Sequence, residues 1–241
     1  MSTPDIYWAK KKLCCFAGKV RVLESEYQEV FALLRDHADP DRAVQMSAYM
    51  RDMFPYLGIQ TPVRRKLTRE FLKAAKKTGA VDWVFINECW QLEREFQYLA
   101  LDYLDALSAC LSPDDVLCLR DLALRKSWWD TIDHLDAIFG TLALKYPEIN
   151  STLLAWSTDE NFWLRRIAID HQLLYKDKTD TVLLEQIIVN NLGQTEFFIN
   201  KAIGWALREY SKTDPDWVRG FVNSYQDQLA PLSVREASKY L

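Results

Sequence analysis

Glycine and proline are scarce in this chain, with seven and eight copies among 241 residues. An all-β protein needs many tight turns, which these two residues supply, so their scarcity favours helices joined by short connections. The sequence also lacks an apolar run of the roughly 18 residues that a membrane span requires. The apolar part of residues 9–18 (AKKKLCCFAG) is too short for a signal peptide, and we interpret it as part of a cytosolic extension.

Common metal-binding and catalytic motifs are missing as well. The five cysteines have no metal-type spacing, so we interpret them as reduced, buried thiols of a cytosolic protein. The three histidines have neither metal spacing nor a Ser or Cys partner pattern. Neither a glycine-rich phosphate loop nor a paired-carboxylate glycosidase arrangement is present. The sequence therefore predicts no metal and no cofactor.

A basic excess is absent too, since the formal net charge is −4. Nucleic-acid-binding domains are usually basic overall, so only the local distribution of charge can indicate such a partner here. Residues 64–77 (RRKLTREFLKAAKK) carry seven basic residues and one acid. A solvated helix face is the ordinary interpretation of such a run, and a face that contacts phosphates is the alternative.

Helical patterns begin at Glu24–Asp36 and continue in Val44–Phe54. Gly58 is expected to end a helix, Thr61 is suited to cap the next one, and Pro62 suits its first turn.

From about residue 94 the chain repeats itself. Small residues recur at intervals of about 35 residues in similar helical segments, within the range typical of helical repeats: Ala100, Ala137, Ala168, Ala202 and Ala237. Polar links between these segments, such as residues 157–161 and 176–180, suit turns and N-caps. Helix pairs of this kind stack on one another, so we predict an all-α fold, an α-α superhelix or curved solenoid of HEAT-like repeats. We expect an N-terminal extension of unknown role at residues 1–24 and one domain at 25–241.

The segment KSWWDTID (residues 126–133) combines tryptophans with acids on one helix. Residues four apart share a helix face, so the indole of Trp129 and the carboxylate of Asp133 can point to the same place. With the repeated alanines as a common register, Trp205 falls in that sector as well. Arg166 falls outside it, and Arg165 lies nearer to it although still well off.

Structural explanations of the same residues stay open. Trp205 is equally explained as packing between repeats, and Asp133 as a surface acid or the partner of an arginine from another repeat. Trp128 is expected in the core, Asp130 at a solvated turn or cap, and Asp136 on the surface.

Six segments together resemble the AlkD-like family of bacterial DNA alkylation repair glycosylases, which are built of HEAT-like repeats. They are LGIQTPVRR, REFQ, KSWWDTID, NFWLRRIAI, EFFINKAIGWALREYSKT and LAPLSVREASK. The likeness runs from about residue 26 to the C-terminus. It implies hydrolysis of the N-glycosidic bond of N3- and N7-alkylated purines, such as 3-methyladenine and 7-methylguanine, in duplex DNA. Members are monofunctional, leave an abasic site and act without flipping the base into a pocket.

The resemblance also implies roles for individual residues. The acid at Asp133 is catalytic, Trp129 and Trp205 line the place of the damaged nucleotide, and Arg166 contacts the DNA backbone near the lesion. Tyr49 and Gln60 match positions at the pocket edge. DNA holding would fall to the basic residues of the matching segments: Arg64, Arg65, Lys66, Arg165, Arg166, Lys201, Arg208 and Arg235.

The chemistry agrees with these roles. An N3- or N7-alkylated purine is cationic and leaves without protonation, so a general acid is not needed. Positive charge then builds on the deoxyribose, where a carboxylate stabilises the transition state more than the ground state. The alternative is a non-catalytic solenoid that binds DNA structures or a protein partner. The resemblance further implies a monomer, located in the cytoplasm of a bacterium and associated with its nucleoid.

Overall fold

The computed structural model of the protein describes residues 24–241, and that part of the chain is helical without a strand. The predicted all-α class is therefore confirmed. The described part of the chain divides into two compact units, the first ending at Leu111 and the second comprising Ser112–Leu241. The predicted extension, apart from residue 24, lies outside the described residues. The helices of the first unit are α1 (Glu24–Asp36), α2 (Pro40–Tyr49), α3 (Thr61–Thr78), α4 (Trp83–Gln91) and α5 (Arg94–Ala106).

Aromatic rings form the core of the first unit. Phe31 of α1 contacts Phe85 of α4 and Phe96 of α5, with ring centroids 5.9 and 4.9 Å apart. Tyr27 and Tyr103 pack on the other sides of Phe85. Rings of this size bury a large apolar area each, and offset or edge-on contacts add to it. The helices α1, α3, α4 and α5 are thereby packed together.

The segment between α2 and α3 departs from the predicted helix. We expected helix through Val44–Phe54 with an end at Gly58, but α2 already ends at Tyr49. Arg51 and Asp52 then adopt positive φ angles of 57° and 55°, which no α-helix continues through. Gly58 instead lies in the following loop with a φ of 88°.

That loop is held by a buried carboxylate. The side chain of Glu95 accepts hydrogen bonds from the backbone N–H groups of Leu57, Gly58 and Ile59, at 2.9, 2.9 and 3.0 Å. Glu95 thereby satisfies three backbone N–H donors of the loop, a role that the sequence pattern does not predict. Pro62 lies in the first turn of α3 as predicted, but Gln60 rather than Thr61 occupies the N-cap.

The second unit contains eight α-helices in its described residues, and they form stacked pairs. The inner series α7, α9, α11 and α13 packs in sequence order, and α8, α10 and α12 flank it. The bounds are α6 (Val116–Ala123), α7 (Trp129–Lys145), α8 (Asn150–Trp156), α9 (Phe162–Asp170), α10 (Thr181–Val189), α11 (Phe197–Tyr210), α12 (Pro215–Ser224) and α13 (Pro231–Ala237).

The repeat pattern read from the sequence corresponds to this stacking. The aligned alanines lie on α5, α7, α9, α11 and α13, and all but Ala137 are buried. The polar links act as caps, as predicted: Asn161 accepts from the N–H of Trp163, and Asp180 accepts from that of Leu183.

Helices α7 and α9 approach each other closely at Gly140. A Cβ atom at this position would lie 2.1 Å from the backbone carbonyl oxygen of His171, just after α9. Only glycine therefore permits this separation of the two backbones, and backbone atoms cannot rotate away as a flexible side chain can.

Replacement of Gly140 by alanine is expected to reduce the free energy of unfolding by about 1–3 kcal/mol, because the helices must move apart. Thermal unfolding measures the loss. Gly220→Ala is the matched control, since nothing lies within 4 Å of a Cβ atom at that exposed position on α12. The control should be neutral or more stable, by about 0.5–1 kcal/mol. Equal Tm values for the two variants would contradict the close approach.

Two further predictions concern cysteines and membranes. Cys89 and Cys118 are buried free thiols as expected, whereas Cys110 is exposed; Cys14 and Cys15 lie outside the described residues. Among the described helices, none has the length and apolar character needed to cross a membrane.

Candidate active site

The segment that carries Trp129 and Asp133 begins helix α7. Trp128 has extended backbone at the N-cap, and Trp129 is the first helical residue. One turn later, the side chain of Asp133 keeps 25% of its surface exposed. The helix geometry expected from the sequence is therefore present, with an indole and a carboxylate one turn apart, both partly exposed.

Asp133 is bound by an arginine from the next inner helix. The Nε and Nη2 atoms of Arg166, on α9, each lie 2.8 Å from Oδ1 of Asp133. Nη1 of the same guanidinium donates to the backbone carbonyl of Phe198, on α11, at 2.7 Å. The Arg166 side chain is only 2% exposed. One buried guanidinium thus connects α7, α9 and α11, and charge-assisted bonds of this kind are strong and directional.

This contact corrects the prediction from helical register, which placed Arg166 outside the sector of Asp133. The register follows Cα positions and assumes equal repeats, whereas an arginine side chain is long enough to reach a neighbouring helix. Arg165, which the register placed nearer, is partly exposed and its guanidinium makes no ion pair with Asp133. The sequence left open that Asp133 pairs with an arginine from another repeat, and the structure contains such a pair.

Two more carboxylates lie near the Asp133–Arg166 pair and are more deeply buried than Asp133. Asp136 is 3% exposed and Asp170 is 1% exposed, so the expectation that Asp136 is a surface acid was wrong. Asp136 lies on the side of α7 that packs against α9, and Asp170 follows Arg166 by one helical turn. Nη2 of Arg166 is 3.6 Å from Oδ2 of Asp170.

The three carboxylates could in principle bind a metal ion, because one oxygen from each lies within 4.8 Å of the others. The guanidinium of Arg166, however, already lies against Asp133 and near Asp170. A metal cation at the same oxygens would have to displace the guanidinium, and the positive charge of Arg166 would repel it. We therefore assign the positive charge of this cluster to Arg166 and not to a metal.

Burial shifts the protonation of all three acids in one direction. Burial raises the pKa of Asp133 above its usual value, and the charge of Arg166 opposes this rise. Burial raises the pKa of Asp170 to about 7, against the opposing effect of Arg166. The pKa of Asp136 is raised well above its usual value by burial and by the nearby Asp170. The least exposed acids are thus the ones that hold protons most strongly.

Trp205 of α11 lies among cations. Arg166, Lys201 and Arg208 place their charged groups 5.3, 5.5 and 5.8 Å from the centre of its ring. These distances lie within the range of cation–π attraction. The ring is partly exposed. Trp205 therefore connects the Asp133–Arg166 pair with a second group of basic side chains on the same helix.

Glu236 of α13 organises that second group. It is 4% exposed, and its carboxylate binds Lys201 at 2.9 Å, Arg208 at 2.6 Å and Lys239 at 2.8 Å. Hydrogen bonds from Lys201 and Lys239 hold the pKa of Glu236 down at about 2. Three cations around one acid leave the cluster with a positive excess.

Replacement of Glu236 by glutamine is expected to lower Tm at pH 7 by roughly 2–4 °C. The pKa of Glu236 is depressed in the folded state, so its contribution to stability is complete above the usual value of 4.5 and is lost as the pH falls towards about 2. Thermal unfolding of both proteins between pH 7 and pH 2.5 should show their difference shrinking. Asp216→Asn is the control, because Asp216 forms an exposed pair with Arg219 that contributes little. A difference that does not change with pH would contradict the assignment.

The other predicted DNA-binding residues lie in different environments. Arg235 is exposed on α13, and Arg65 and Lys66 are exposed on α3. Arg64 is buried instead, with Nε and Nη2 bound to Asp102 at 3.3 and 3.0 Å. Its guanidinium is therefore engaged inside the first unit, which corrects its assignment to the positive face of α3.

The predicted pocket-edge residues and Trp128 have the following positions. Tyr49 ends α2 with 74% of its surface exposed, and the exposed Gln60 occupies the N-cap position of α3.

Trp128, expected in the core, is partly buried against the rings of Trp163 and Phe198, with ring centroids 6.0 and 5.4 Å apart. This aromatic cluster lies beside the Phe198 carbonyl that receives Arg166.

The sequence alone does not single out Asp170 or Glu236. A signal for Asp170 exists, because an arginine and an acid four residues apart favour an ion pair within one helix. For Glu236 the only local signal is Lys239, three residues away, since its other partners Lys201 and Arg208 lie 35 and 28 residues away.

Known proteins resemble this chain in sequence and in fold. Residues 30–241 match the family described as DNA alkylation repair enzyme. A solved structure, a predicted DNA alkylation repair enzyme from Enterococcus faecalis, is 36% identical with a TM-score of 0.78, over 85% of this chain and 96% of that one. The crystal structure of smu.31 from Streptococcus mutans UA159 is 18% identical with a TM-score of 0.54, over 74% and 97%, and shows likeness of fold alone. No curated protein sequence matches the chain. The first likeness is consistent with the predicted α-α superhelix.

Proposed function

The chain belongs to the DNA alkylation repair enzyme family, and from that premise we propose that it is a monofunctional DNA glycosylase. Its substrates would be duplex DNA with cationic N3- or N7-alkylated purines, 3-methyladenine and 7-methylguanine among them. It would act as a monomer in the bacterial cytoplasm, associated with the nucleoid. One observation carries the proposal: a partly exposed carboxylate, Asp133, is fixed by a buried arginine beside a partly exposed tryptophan.

The reaction needs few groups from the protein. The bond between C1′ and the purine nitrogen breaks with its electron pair going to the base, whose positive charge is thereby neutralised. The deoxyribose becomes an oxocarbenium-like cation. Asp133, held by Arg166, would place its negative charge beside this cation and stabilise the transition state. Water then adds to C1′ and loses a proton, and Asp133 is suited to orient that water. An abasic site remains.

The indoles would bind around the same centre. Trp129, one helical turn before Asp133, would face the damaged nucleotide together with Trp205. Attraction of an indole face for a positive sugar or base is worth about 0.5–2 kcal/mol. Trp205 already has three cations of the protein near its ring, so we assign the larger share of this attraction to Trp129.

Phosphate binding would follow from the distribution of basic side chains. Lys201 and Arg208 keep 25% and 23% of their side-chain surface exposed while bound to Glu236. They are therefore ordered and still accessible to a DNA backbone. Arg165, Arg235, Arg65 and Lys66 would add contacts from the exposed surface. Arg166 would act chiefly through Asp133, since only 2% of its side chain is exposed.

The alternative function, binding without catalysis, has one observation in its favour. The Asp133–Arg166 pair also joins helices, so the carboxylate has a structural role even in a protein without activity.

Measurement of base release distinguishes the two functions. Purified protein is incubated with methylated duplex DNA, and free 7-methylguanine is measured by chromatography. The glycosylase releases it and leaves abasic sites. Salt-sensitive DNA binding without release would support the alternative and contradict our proposal.

A further inference from the structure

The Asp136 and Asp170 side chains have fewer hydrogen bonds than buried carboxylates usually accept. Both oxygens of Asp170 and Oδ2 of Asp136 are buried and accept no hydrogen bond. Buried carboxylates normally accept several, and an unsatisfied one is unfavourable. A proton bound to one of the two acids would supply an O–H donor for the other. One such proton would join two of these three oxygens in a hydrogen bond.

The charge balance of the cluster also favours a bound proton. Asp133, Asp136 and Asp170 have oxygens within 4.8 Å of one another, and Arg166 supplies one positive charge. Full ionisation would leave two uncompensated negative charges in a buried place, where charges must be paired. Two interacting acids at short distance therefore titrate as a pair and lose their protons in separate steps.

Other charged groups on the surrounding helices are engaged elsewhere. His171, next to Asp170, donates from Nδ1 to the Ala168 carbonyl oxygen at 2.7 Å, and burial lowers its pKa to about 4. The charged side chains of α6, α10 and α11 have these partners: Arg120 with Asp159, Asp121 with Arg125, Glu185 with Tyr225, Glu209 with Lys212, and Lys201 and Arg208 with Glu236. The protonation of the pair is thus governed chiefly by burial, and then by the charges of the cluster itself.

The guanidinium of Arg166 lies closer to Asp133 than to Asp170. Arg166 lies 2.8 Å from Asp133, which is partly exposed, but 3.6 Å from Asp170, which is fully buried on its own helix. An ionised, buried Asp170 would attract the guanidinium more strongly than an acid that water also solvates. A protonated Asp170 would not compete.

We propose that Asp136 and Asp170 share one proton and act as positioning residues, which keep Arg166 bound to Asp133. Loss of the shared proton draws Nη2 of Arg166 towards Asp170 and loosens Asp133. The part of this inference that concerns base release rests on the proposed function; the part that concerns the proton and Arg166 does not. Both acids are buried, so we assign them no contact with DNA or with the reacting atoms.

The first test follows Arg166 directly, without any assay of activity. The ¹H–¹⁵Nε signal of Arg166 is recorded by NMR between pH 5.5 and pH 9 in the full-length protein. In the wild type it should move with a midpoint near pH 7, as the pKa of Asp170 is raised to about 7 by burial. In Asp170→Asn, whose side chain stays neutral, the signal should not move in this range. Asp133→Asn should retain the titration, since the pair is intact.

Each result of that test decides the inference. A wild-type signal that is constant over the range overturns it, and so does an unchanged titration in Asp170→Asn. If Asp170→Asn fails to fold, Asp136→Asn replaces it, because either variant removes one acid of the pair. A loss of titration in Asp136→Asn supports the shared proton, and an unchanged titration overturns it.

A second test links the pair to the reaction. Wild-type base release should decline as the pH rises above about 7, whereas Asp170→Asn should release within about threefold of the wild type at pH 6.5 and show no such decline. Asp170→Ala should be slower at every pH, because it lacks the polar group that asparagine keeps. Equal pH profiles for wild type and Asp170→Asn overturn the positioning role. Absence of release from the wild type, with the Arg166 titration present, contradicts the proposed function and leaves the shared proton supported.

Discussion

Replacement of Asp133 by asparagine is expected to lower the rate of 7-methylguanine release by about 10²- to 10³-fold, the usual effect of removing one preorganised electrostatic group. Asparagine has nearly the same size, and its carbonyl oxygen can still accept the hydrogen bonds of Arg166 that Asp133 accepts at 2.8 Å. The fold should therefore be retained while the negative charge is lost. Because that charge stabilises the cationic sugar and not the bound substrate, the rate of the chemical step should fall and DNA affinity should not.

Single-turnover release from methylated duplex DNA measures this effect, with DNA binding and Tm measured on the same preparations. Asp130→Asn is the matched control, since it removes the same charge three residues earlier in the first turn of α7. The control should release at close to the wild-type rate. If the Asp133→Asn variant released 7-methylguanine at the wild-type rate, Asp133 would be excluded as the catalytic carboxylate, even if the protein proved to be a glycosylase.

Replacement of Arg166 by alanine is expected to reduce the free energy of unfolding by about 3–5 kcal/mol at pH 8, as is usual when one partner of a buried ion pair is removed. Three acids would then lie together without the cation that now contacts them. Their pKa values in the folded state would rise further. The folded protein would then hold protons that the unfolded chain releases, so stability would fall as the pH rises.

The pH dependence separates this effect from simple loss of packing. At pH 5 the pair is protonated, since the pKa of Asp170 is raised to about 7, and the loss in the variant should be smaller than at pH 8. Urea unfolding at both pH values measures it. Arg165→Ala is the control: it removes the same charge from the neighbouring, partly exposed position, and should change stability by less than about 1 kcal/mol. An equal loss at both pH values would contradict the electrostatic explanation.

The parts of the fold that depend on local pattern could be predicted from the sequence. Of the aligned alanines, Ala168, Ala202 and Ala237 are buried on the inner helices α9, α11 and α13, where close packing of successive helices favours a small residue. Asn161 and Asp180 cap helices as expected, because a cap depends on residues two or three apart. The Trp129–Asp133 spacing followed from helix geometry in the same way.

Interactions between distant residues could not be predicted in this way. Arg64 belongs to a basic run, but Asp102, 38 residues away, determines that it is buried. The Arg166–Asp133 contact spans 33 residues and depends on the reach of a long side chain, which an angular register does not describe. Asp136 is buried because α9 covers that side of α7, and its own neighbours in the sequence give no sign of this.

The close approach at Gly140 has a consequence for how this protein tolerates change. Backbone atoms fix the separation of α7 and α9, because the site of the missing Cβ is only 2.1 Å from the His171 carbonyl oxygen. Substitutions among the apolar side chains around this point can therefore alter stability without altering the distance that Arg166 must span to reach Asp133. The geometry of the Asp133–Arg166 pair therefore depends less on the apolar side chains of the core than on the absence of a side chain at position 140.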